Sequence, residues 1–391
     1  MSARPILLFS RSVDGGISEY MHAQGNELAR RGLAVVVLAP RRFLSAHPVR
    51  GYVAHALPAV PDGIQSRLLR RALFVVLAIL NPFILAWHVV RLRPRFVLLD
   101  SMSELFAPLW AWPHRLLARF GGVRYVATLH DPVRERALGA EWWHRWSLRA
   151  AYAPLAIGLV HDLATAKKAG VPAHVRLVEV PHGIFPVTAD GSGVDLRATL
   201  GIESEAPVAL SFGYVVDRKN LGLAIDALAA VPELHLIIAG RRGSTQDRSP
   251  ESYEAQAEQL GVADRCHIVD RFIDDAELGR FFGAADFLLM TYTGAFVSQS
   301  GVLHVAANWS RPVLASGGPG PMVETVRRYK LGEVVEPDSV EALADGMRRM
   351  IGRSDSAADS EAWQRFRDEA SWARNVDLLL AAVDQLPGEG A

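Results

Sequence analysis

The amino-acid sequence predicts an α/β protein built from two Rossmann-like domains that face each other across a cleft. The chain has 391 residues, which is enough for two domains of ordinary size. Short β-branched runs alternate with helix-period segments in both halves, as is typical of parallel sheets covered by helices on both faces. A Gly/Ser-rich stretch, residues 189–201, separates the two halves and is the predicted linker.

The first half begins with a strand, a glycine pair and a helix. Pro5–Phe9 is the predicted strand, and its apolar run is too short for a secretory signal. Gly15 and Gly16 follow it and open a helix over residues 17–31. The further strands predicted in this half are residues 33–38, 96–99, 123–129 and 156–160.

The second half repeats this alternation and ends in an amphipathic helix, predicted over residues 370–386. Its predicted strands are residues 208–212, 234–239, 267–269, 286–290 and 312–315, with helices at residues 221–230, 251–260, 276–282 and 302–309. Ligands of open parallel sheets bind at the carboxyl ends of the strands. Functional residues are therefore expected at those ends, in the cleft.

The charges of the chain are segregated although they sum to zero. Residues 1–185 hold 23 Lys/Arg and 11 Asp/Glu, a balance of +12, so the remaining 19 basic and 31 acidic residues give −12. The basic half predicts an anionic partner, such as a membrane surface or a phosphorylated lipid, or else the two halves attract each other. Nucleic acid is not expected, because this half is apolar and Trp-rich and has no reading helix. Cys266 is the only cysteine, which excludes an intramolecular disulfide and fits the cytoplasm.

The longest apolar run, residues 72–90, has a borderline length for crossing a membrane. Arginines flank it on both sides, and the strands before and after it are expected to share one sheet, so a spanning helix is not predicted. Asn81-Pro82 is expected to break or kink the run, which leaves one or two helices packed on the first domain. Six of the nine tryptophans lie in the first 150 residues, which favours contact with a membrane interface; an ordinary core is the alternative.

Two features of the first half are candidates for binding. Gly15-Gly16 lets a ligand approach the backbone at a helix start, although a plain tight turn is the commoner reason for such a pair. His130 follows a strand and can donate to a hydroxyl or balance a negative charge. The alternative is a histidine held by its neighbours in a loop.

The second half offers basic and hydroxyl groups after several strands, and together they predict a nucleotide diphosphate site. Arg218 and Lys219 stand just before a helix, where a bidentate fork, a point charge and free N–H groups suit a diphosphate. The segment Ser298–Gly301 is either a helix cap or a seat for a phosphate. The other candidate residues of this half are Gly213, Asn220, Arg241, Arg271, Ser298, Gln299, Ser300, Gly301 and Glu324.

The order and spacing of these motifs resemble the retaining, Leloir-type glycosyltransferases of GT-B architecture, often called family 4. The resemblance covers most of the chain. It is carried by "GGISEYMHAQGNELARRGLAVVVLAP", "TLHD", "GYVVDRKNLGLAIDALA", "LIIAGRRG", "RPVLASGGPGPMVETV" and "SWARNVDLLLAAV".

This resemblance implies an acceptor-binding domain at residues 1–188 and a nucleotide-sugar-binding domain at 200–360. It also implies that a segment at 361–391 packs back on the first domain. The implied reaction moves a sugar from a UDP- or GDP-sugar to a hydroxyl, with retention and with neither a bound metal nor a cofactor. The expected acceptor is a glycan or a lipid-linked or cell-envelope polysaccharide precursor, at the inner face of the cell membrane.

By the same resemblance Arg218 and Lys219 bind the diphosphate, His130 contacts the transferred sugar, Gly15 and Gly16 line the cleft, and Glu324 holds the donor.

The chain departs from the family pattern at the donor helix. Family members commonly carry two glutamates eight positions apart, and alignment through "RPVLAS" puts Phe296 and His304 there. Tyr214 follows Gly213, where an arginine is often found. These departures leave a second hypothesis, a GT-B scaffold that partners another transferase. A third is another GT-B activity, such as a nucleotide-sugar epimerase or a phosphorylase.

Overall fold

The structure is a computed structural model that describes residues 4–13, 15–130, 140–185, 187, 193–351, 353 and 357–386. The chain divides into two compact units. The first comprises Met1–Gly183 with Ser371–Ala391, and the second comprises Ile184–Ala370. The sequence prediction placed these divisions at residues 188 and 361.

A seven-stranded parallel sheet forms the centre of the first unit, in the order β3-β2-β1-β4-β5-β6-β7. Its strands are β1 (Ile6–Phe9), β2 (Val35–Pro40), β3 (Val53–Leu57), β4 (Phe96–Leu99), β5 (Tyr125–Thr128), β6 (Leu155–Val160) and β7 (Arg176–Glu179). Its helices up to the second unit are α1 (Gly16–Arg30), α2 (Arg41–Ala46), α3 (Arg67–Leu92), α4 (Ala107–Phe120), α5 (Glu141–Tyr152) and α6 (Leu163–Lys168). The order of the strands reverses between β1 and β4, where parallel sheets of this kind bind ligands.

The second unit has its own parallel sheet of six strands, in the order β10-β9-β8-β11-β12-β13. Its strands are β8 (Val208–Phe212), β9 (His235–Ala239), β10 (Cys266–Val269), β11 (Phe287–Thr291), β12 (Val313–Ser316) and β13 (Gly332–Val334). Its helices are α7 (Val194–Thr199), α8 (Leu221–Ala229), α9 (Pro250–Gln259), α10 (Asp275–Ala284), α11 (Gly301–Ala306), α12 (Pro321–Tyr329), α13 (Val340–Ile351) and α14 (Ala357–Glu369). The predicted class, two Rossmann-like α/β domains, is confirmed.

The central strands of the first sheet have buried side chains on both faces, as β1 illustrates. Ile6 and Leu8 of β1 belong to one cluster of buried residues, which includes Met21 of α1. Leu7 and Phe9 point the other way, into a cluster that contains residues of α3 and α4. Because successive side chains of a strand point to opposite faces, a continuous apolar run fits a strand covered on both sides.

The last helix, α15 (Trp372–Asp384), returns to the first unit. Val376, Leu379 and Val383 are fully buried in the same cluster as Ile6 and Leu8. The preceding helix α14 belongs instead to the second unit, because Trp363 and Phe366 lie in that unit's core. The segment that returns therefore begins at residue 371, ten residues after the predicted boundary.

One other sequence expectation differs from the structure, and a second is met in part. The predicted linker contains helix α7, which is held in the second unit because Leu196 packs into its core. The apolar run forms a single helix, α3, which is one of the two expected arrangements, and the helix is not broken at Pro82. Neighbouring polar groups bind the backbone near that proline: His114 Nε2 lies 3.0 Å from the Pro82 carbonyl, and Asn81 donates to the Pro58 carbonyl at 3.1 Å.

Candidate active site

Two glycines end neighbouring strands at the carboxyl edge of the second sheet. Gly213 follows β8 with φ 91°, and Gly240 follows β9 with φ 146°, a region that L side chains rarely adopt. A Cβ on Gly240 would lie 2.3 Å from the carbonyl oxygen of Gly213. The two strand ends therefore approach so closely that only glycine fits at position 240.

The ammonium of Lys219 lies at this edge. The side chain is only 8% exposed, and Nζ donates to the carbonyl of Phe212 at the end of β8. A Cβ on Gly213 would lie 3.1 Å from that Nζ and 3.2 Å from Val302 in the first turn of α11. Burial, with a smaller contribution from the Arg218 charge, lowers the pKa of Lys219 to about 7. The sheet edge thus holds a desolvated cation beside a strand end and a helix start.

The loop that carries Lys219 is fixed by its neighbours. Asn220 has φ 54° and donates to Asp338 at 2.7 Å, and Asp338 also accepts from the Gly294 N–H at 2.8 Å. The Arg218 carbonyl accepts from the Thr293 N–H at 3.0 Å. The Arg218 side chain is exposed. The backbone is therefore held in place while the guanidinium remains accessible from solvent.

The polar segment that leads into α11, Ser298–Gly301, makes hydrogen bonds that hold its loop in place. The Ser300 hydroxyl lies 2.9 Å from the Tyr292 hydroxyl, and Gln299 accepts from the Ser300 N–H at 2.9 Å. Gln299 also donates to Thr325 at 3.2 Å. No side-chain hydrogen bond from Ser300 caps the helix. Among the four residues of this segment, Ser298 and Gly301 are partly exposed and Ser300 is buried.

Phe296 and His304 fill apolar space where the family pattern has glutamates. Phe296 stacks on Tyr292 with ring centroids 4.0 Å apart, and His304 packs against Phe366 of α14 at 5.3 Å. His304 is 1% exposed, its Nδ1 lies 3.2 Å from the Ser300 carbonyl, and burial lowers its pKa to about 4. Both side chains therefore belong to the core of the second unit.

Three further candidates of this unit make cation–π contacts or ion pairs. Arg241 lies over the ring of Tyr214 at 5.3 Å and over the ring of Phe272 at 5.7 Å. Arg271 makes a bidentate pair with Glu277, both contacts being 2.6 Å. Glu324 is exposed in the first turn of α12 and pairs with Arg327 at 3.1 Å. An acidic residue in the first turn of a helix also complements the helix dipole.

In the first unit, Gly15 precedes α1, and His130 packs against Tyr20 of the same helix. Gly15 precedes α1 with φ 81°, and a Cβ on Gly16 would meet no atom within 4 Å. Tyr20, one turn into α1, packs edge-on against His130 with ring centroids 4.8 Å apart. The structure thus places the glycine turn and the candidate histidine at the carboxyl edge of one sheet.

His130 is oriented by a buried carboxylate that the sequence analysis did not single out. Its Nε2 lies 3.0 Å from Oδ1 of Asp100, which directly follows β4. The Asp100 residue is 4% exposed, and burial raises its pKa while His130 opposes that shift. A histidine paired in this way is held in one ring orientation.

Sequence reasoning also missed two histidines beside His130. His161 and His182 follow β6 and β7, and their rings lie 5.6 Å and 6.5 Å from that of His130. The available signal was the same one that selected His130, a histidine within three residues of a strand end. For His182 the strand itself, β7, was not predicted. The structure gathers Lys219, Gly213 and the start of α11 in the second unit, whereas Arg271 and Glu324 are held by their own surface pairs.

Residues 195–365 match the family model of the glycosyl transferases group 1. The chain is 22% identical over 354 residues to the D-inositol 3-phosphate glycosyltransferase of Mycobacterium marinum, with 77% of this chain and 75% of that protein covered. The enzyme of the same name from Mycobacterium tuberculosis is 23% identical over 353 residues, with 77% and 72% covered.

Solved structures share this fold over almost the whole chain. HepE from Anabaena, in complex with UDP and glucose, superposes with a TM-score of 0.74 at 17% identity and covers 98% of this chain and 100% of its own. Sucrose-phosphate synthase from Thermosynechococcus elongatus gives 0.72 at 19% identity, with 98% and 99% covered. WaaG, a glycosyltransferase of lipopolysaccharide biosynthesis, gives 0.64 at 17% identity, with 98% and 100% covered.

Proposed function

We propose that this chain, a group 1 glycosyltransferase with the GT-B fold, moves a sugar from a nucleotide diphosphate sugar to a hydroxyl group. The anomeric configuration of the sugar is retained in this reaction. The bond from the anomeric carbon to the diphosphate breaks, and a bond from that carbon to the acceptor oxygen forms. The diphosphate leaves with the bonding electrons, and the proton of the acceptor hydroxyl passes to an oxygen of the departing diphosphate. HepE is seen with UDP and with UDP-glucose, so UDP-sugars are the first donors to test.

The observation that carries the proposal is the position of Lys219. Its ammonium is desolvated beside Gly213 and the start of α11, and the exposed guanidinium of Arg218 belongs to the same loop. A leaving diphosphate gains negative charge as the sugar departs, and preorganised donors in a desolvated site stabilise that charge most. We assign both cations to the diphosphate, and Gly213 and Asn220 to the shape of its binding loop.

Replacement of Arg218 by alanine tests this assignment. A donor screen with UDP- and GDP-sugars, scored by thermal shift, first identifies the ligand, because a tight ligand raises the melting temperature by mass action. With that donor, Arg218→Ala is expected to lower kcat about 10²–10³-fold, the usual loss when one charge-stabilising donor is removed.

Arg348 of α13 is the matched control, because it is exposed and pairs with Asp345 on its own helix. Arg348→Ala is expected to leave turnover unchanged. Unchanged turnover in Arg218→Ala, with the same verified donor, removes Arg218 from the site.

We propose that the first unit binds the acceptor and that His130 contacts the transferred sugar. Its Nε2 faces Asp100, so Nδ1 is the nitrogen left for a sugar hydroxyl. We expect transfer without added metal, and we expect the product to keep the anomeric configuration of the donor. Proton NMR of the product, formed in the presence of EDTA, checks both expectations in one experiment.

We further propose that the first unit binds the cytoplasmic face of the cell membrane, where it meets a lipid-linked or cell-envelope glycan acceptor. Helix α3 is long and apolar enough to cross a membrane, with a mean hydropathy of 2.3 over its most apolar window. It joins β3 to β4 within one sheet, which favours a surface position over a spanning one. The exposed apolar side chains of α3, α4 and α5 include Phe74, Val76, Leu80, Trp87, Val90, Leu109, Trp112, Leu116, Phe120, Trp142 and Trp146.

Arginines on the same helices support this membrane contact. Arg67, Arg70 and Arg71 lie in the first turns of α3, and Arg115 and Arg119 lie on α4. Exposed tryptophans and arginines together suit the headgroup level of an anionic bilayer. Sedimentation with phosphatidylglycerol vesicles is expected to pull down the chain at low salt. Trp112→Ser combined with Trp146→Ser is expected to weaken binding, whereas equal recovery of this variant argues against the contact.

The scaffold hypothesis is the second candidate, and Phe296 and His304 favour it. Both are core side chains where the family pattern has glutamates, so neither supplies a carboxylate to a donor. Calorimetry with UDP and GDP separates the two functions. Binding of either nucleotide, lost in Lys219→Met, supports the transferase; binding of neither supports the scaffold.

A further inference from the structure

Four polar side chains follow four neighbouring strands of the first sheet. Asp100 follows β4, His130 follows β5, His161 follows β6 and His182 follows β7, and these strands are adjacent in that order. Parallel strands bring their carboxyl ends to one edge of the sheet, so the four groups converge there. One ring nitrogen from each of the three histidines lies within 4.8 Å of those from the other two.

We propose that His130, His161 and His182 bind a divalent transition-metal ion such as Zn²⁺, with Asp100 as the residue that orients His130. Three imidazoles are a ligand set that suits zinc, copper and nickel, and three protein ligands leave a fourth position for water or another ligand. Among the residues that the structure describes, these three histidines form the one group with this spacing.

Backbone and carboxylate oxygens determine which nitrogen His161 and His130 offer. His161 Nδ1 lies 3.1 Å from the Val180 carbonyl, which only accepts, so Nδ1 carries the proton and Nε2 carries a lone pair. His130 presents Nε2 to Asp100 at 3.0 Å, which leaves Nδ1 as its ligand atom. A metal-binding histidine almost always donates its other N–H to a carboxylate or a backbone carbonyl, as these two do.

The rings are held close to the geometry that an ion requires. In a tetrahedral site with Zn–N distances of about 2.0–2.1 Å, two ligand nitrogens lie about 3.3 Å apart. Small rotations of the three side chains therefore bring their nitrogens from the observed spacing to the spacing that the ion requires. Tyr20 packs against all three histidines, with ring centroids 4.8, 5.5 and 5.3 Å from those of His130, His161 and His182. The three histidines are half-buried, so the ion is reachable from solvent while its ligands are kept in place.

Metal binding goes beyond the proposed transfer and opposes it. With Nδ1 on the ion and Nε2 on Asp100, His130 has no nitrogen left for a sugar hydroxyl. The metal-free chain is therefore the form competent for transfer. Binding of the ion is measured in the absence of sugar donor and acceptor. This measurement therefore tests the metal site even if the proposed sugar transfer is wrong.

Titration of the full-length, untagged chain with Co²⁺ tests the site. One equivalent of Co²⁺ is expected to give the intense visible absorption of a low-coordinate cobalt site, and Zn²⁺ is expected to abolish it. His161→Asn and His182→Asn are expected to lose the band. The asparagine amide retains an N–H for the Val180 carbonyl, so these variants keep the local hydrogen bond at position 161. Asp100→Asn is expected to weaken binding about 10–100-fold, as loss of an outer-shell partner does.

His267 supplies the matched control. It stacks on His235 in the second unit, with nitrogens 3.1 Å apart, and lies outside the proposed site. His267→Asn is expected to keep the band and its stoichiometry. Absence of the band in the unaltered chain overturns the proposal whether or not the variants fold. The same band at the same stoichiometry in both His161→Asn and His182→Asn also overturns it.

Discussion

Lys219 is a cation that the fold stabilises poorly on its own. It is 8% exposed, its nearest hydrogen-bond partner is a neutral carbonyl, and Arg218 adds a like charge nearby. Burying an ammonium without an anion lowers its pKa, because the charged form loses its hydration. A residue of this kind is typical of a site that an anionic ligand completes.

The lowered pKa predicts that Lys219→Met stabilises the protein most at low pH. The pKa of Lys219 is about 7 in the fold and 10.5 in the unfolded chain. Between pH 7 and pH 10.5 the unfolded state binds more protons than the folded state, so the free energy of unfolding rises with pH. Below pH 7 Lys219 is charged in both states, and the folded state bears the full cost of burying that charge. The melting temperature of Lys219→Met should therefore exceed that of the unaltered chain below pH 7, and the difference should shrink toward pH 10.5.

Thermal melts across that pH range measure this difference. Lys168→Met, at an exposed position of α6, is the control and should show no such trend. A pH-independent difference for Lys219→Met would mean that the ammonium is hydrated in the folded chain.

Single residues near strand ends were partly predictable. Arg218 and Lys219 were selected as candidates because a basic pair before a helix is visible in sequence, and His130 because it follows an apolar strand. Asp100 was missed, since burial turns an ordinary carboxylate after a strand into the partner of His130. That burial depends on contacts between distant segments, which no local pattern contains.

At the scale of elements, one buried amide links helix α15 by hydrogen bonds to α1 and to the segment after β7. Asn375 accepts from Gln24 at 2.8 Å and donates to the Tyr20 hydroxyl and to the Pro181 carbonyl, both at 2.7 Å. The side chain is fully buried. Three elements distant in sequence therefore share one hydrogen-bond network, which is costly to leave incomplete.

Asn375→Leu is expected to destabilise the first unit. Each buried partner left without its hydrogen bond costs about 1–3 kcal/mol, and three groups lose theirs. Arg374→Leu on the exposed side of α15 is the control and should change stability little. Urea titration with hydrogen exchange of the α15 amides measures both variants. Equal protection of α15 in the two variants would contradict the role given to Asn375.

The strands that the sequence analysis missed share a position in the fold. Strands β3, β7 and β13 are edge strands, and their side chains are largely exposed or half-buried. An edge strand needs no continuous apolar run, so Arg176–Glu179 and Gly332–Val334 carry no strong strand pattern. The central strands were predicted because burial on both faces imposes apolar side chains at every position. Helix α3 continues through Pro82, where a break or a kink was expected, and side-chain hydrogen bonds involve Asn81 and the Pro82 carbonyl.

At the scale of the whole molecule, the two units differ in how the chain builds them. The second unit is one continuous segment, Ile184–Ala370, with its own sheet and core. The first unit needs both ends of the chain, because Val376, Leu379 and Val383 complete the core beside β1.

A fragment of residues 184–370 is therefore expected to fold alone and to bind the nucleotide of the verified donor. A fragment of residues 1–183 lacks α15 and is expected to expose apolar surface and aggregate. Circular dichroism and size-exclusion chromatography of the two fragments measure the contrast, and calorimetry measures the nucleotide. A well-folded, monomeric 1–183 fragment would show that α15 is dispensable for the first unit.

The return of α15 also sets an order of events during synthesis. Ribosomes deliver the chain from its N-terminus, and domains usually fold as they emerge in that order. Here the first unit cannot close its core until residues 371–386 leave the exit tunnel, after the whole second unit has emerged. The exposed apolar side chains of α3 emerge early in that interval, when a nascent chain is most accessible to chaperones. Premature termination directly after residue 370 thus yields a product in which the second unit is complete and the first unit lacks α15.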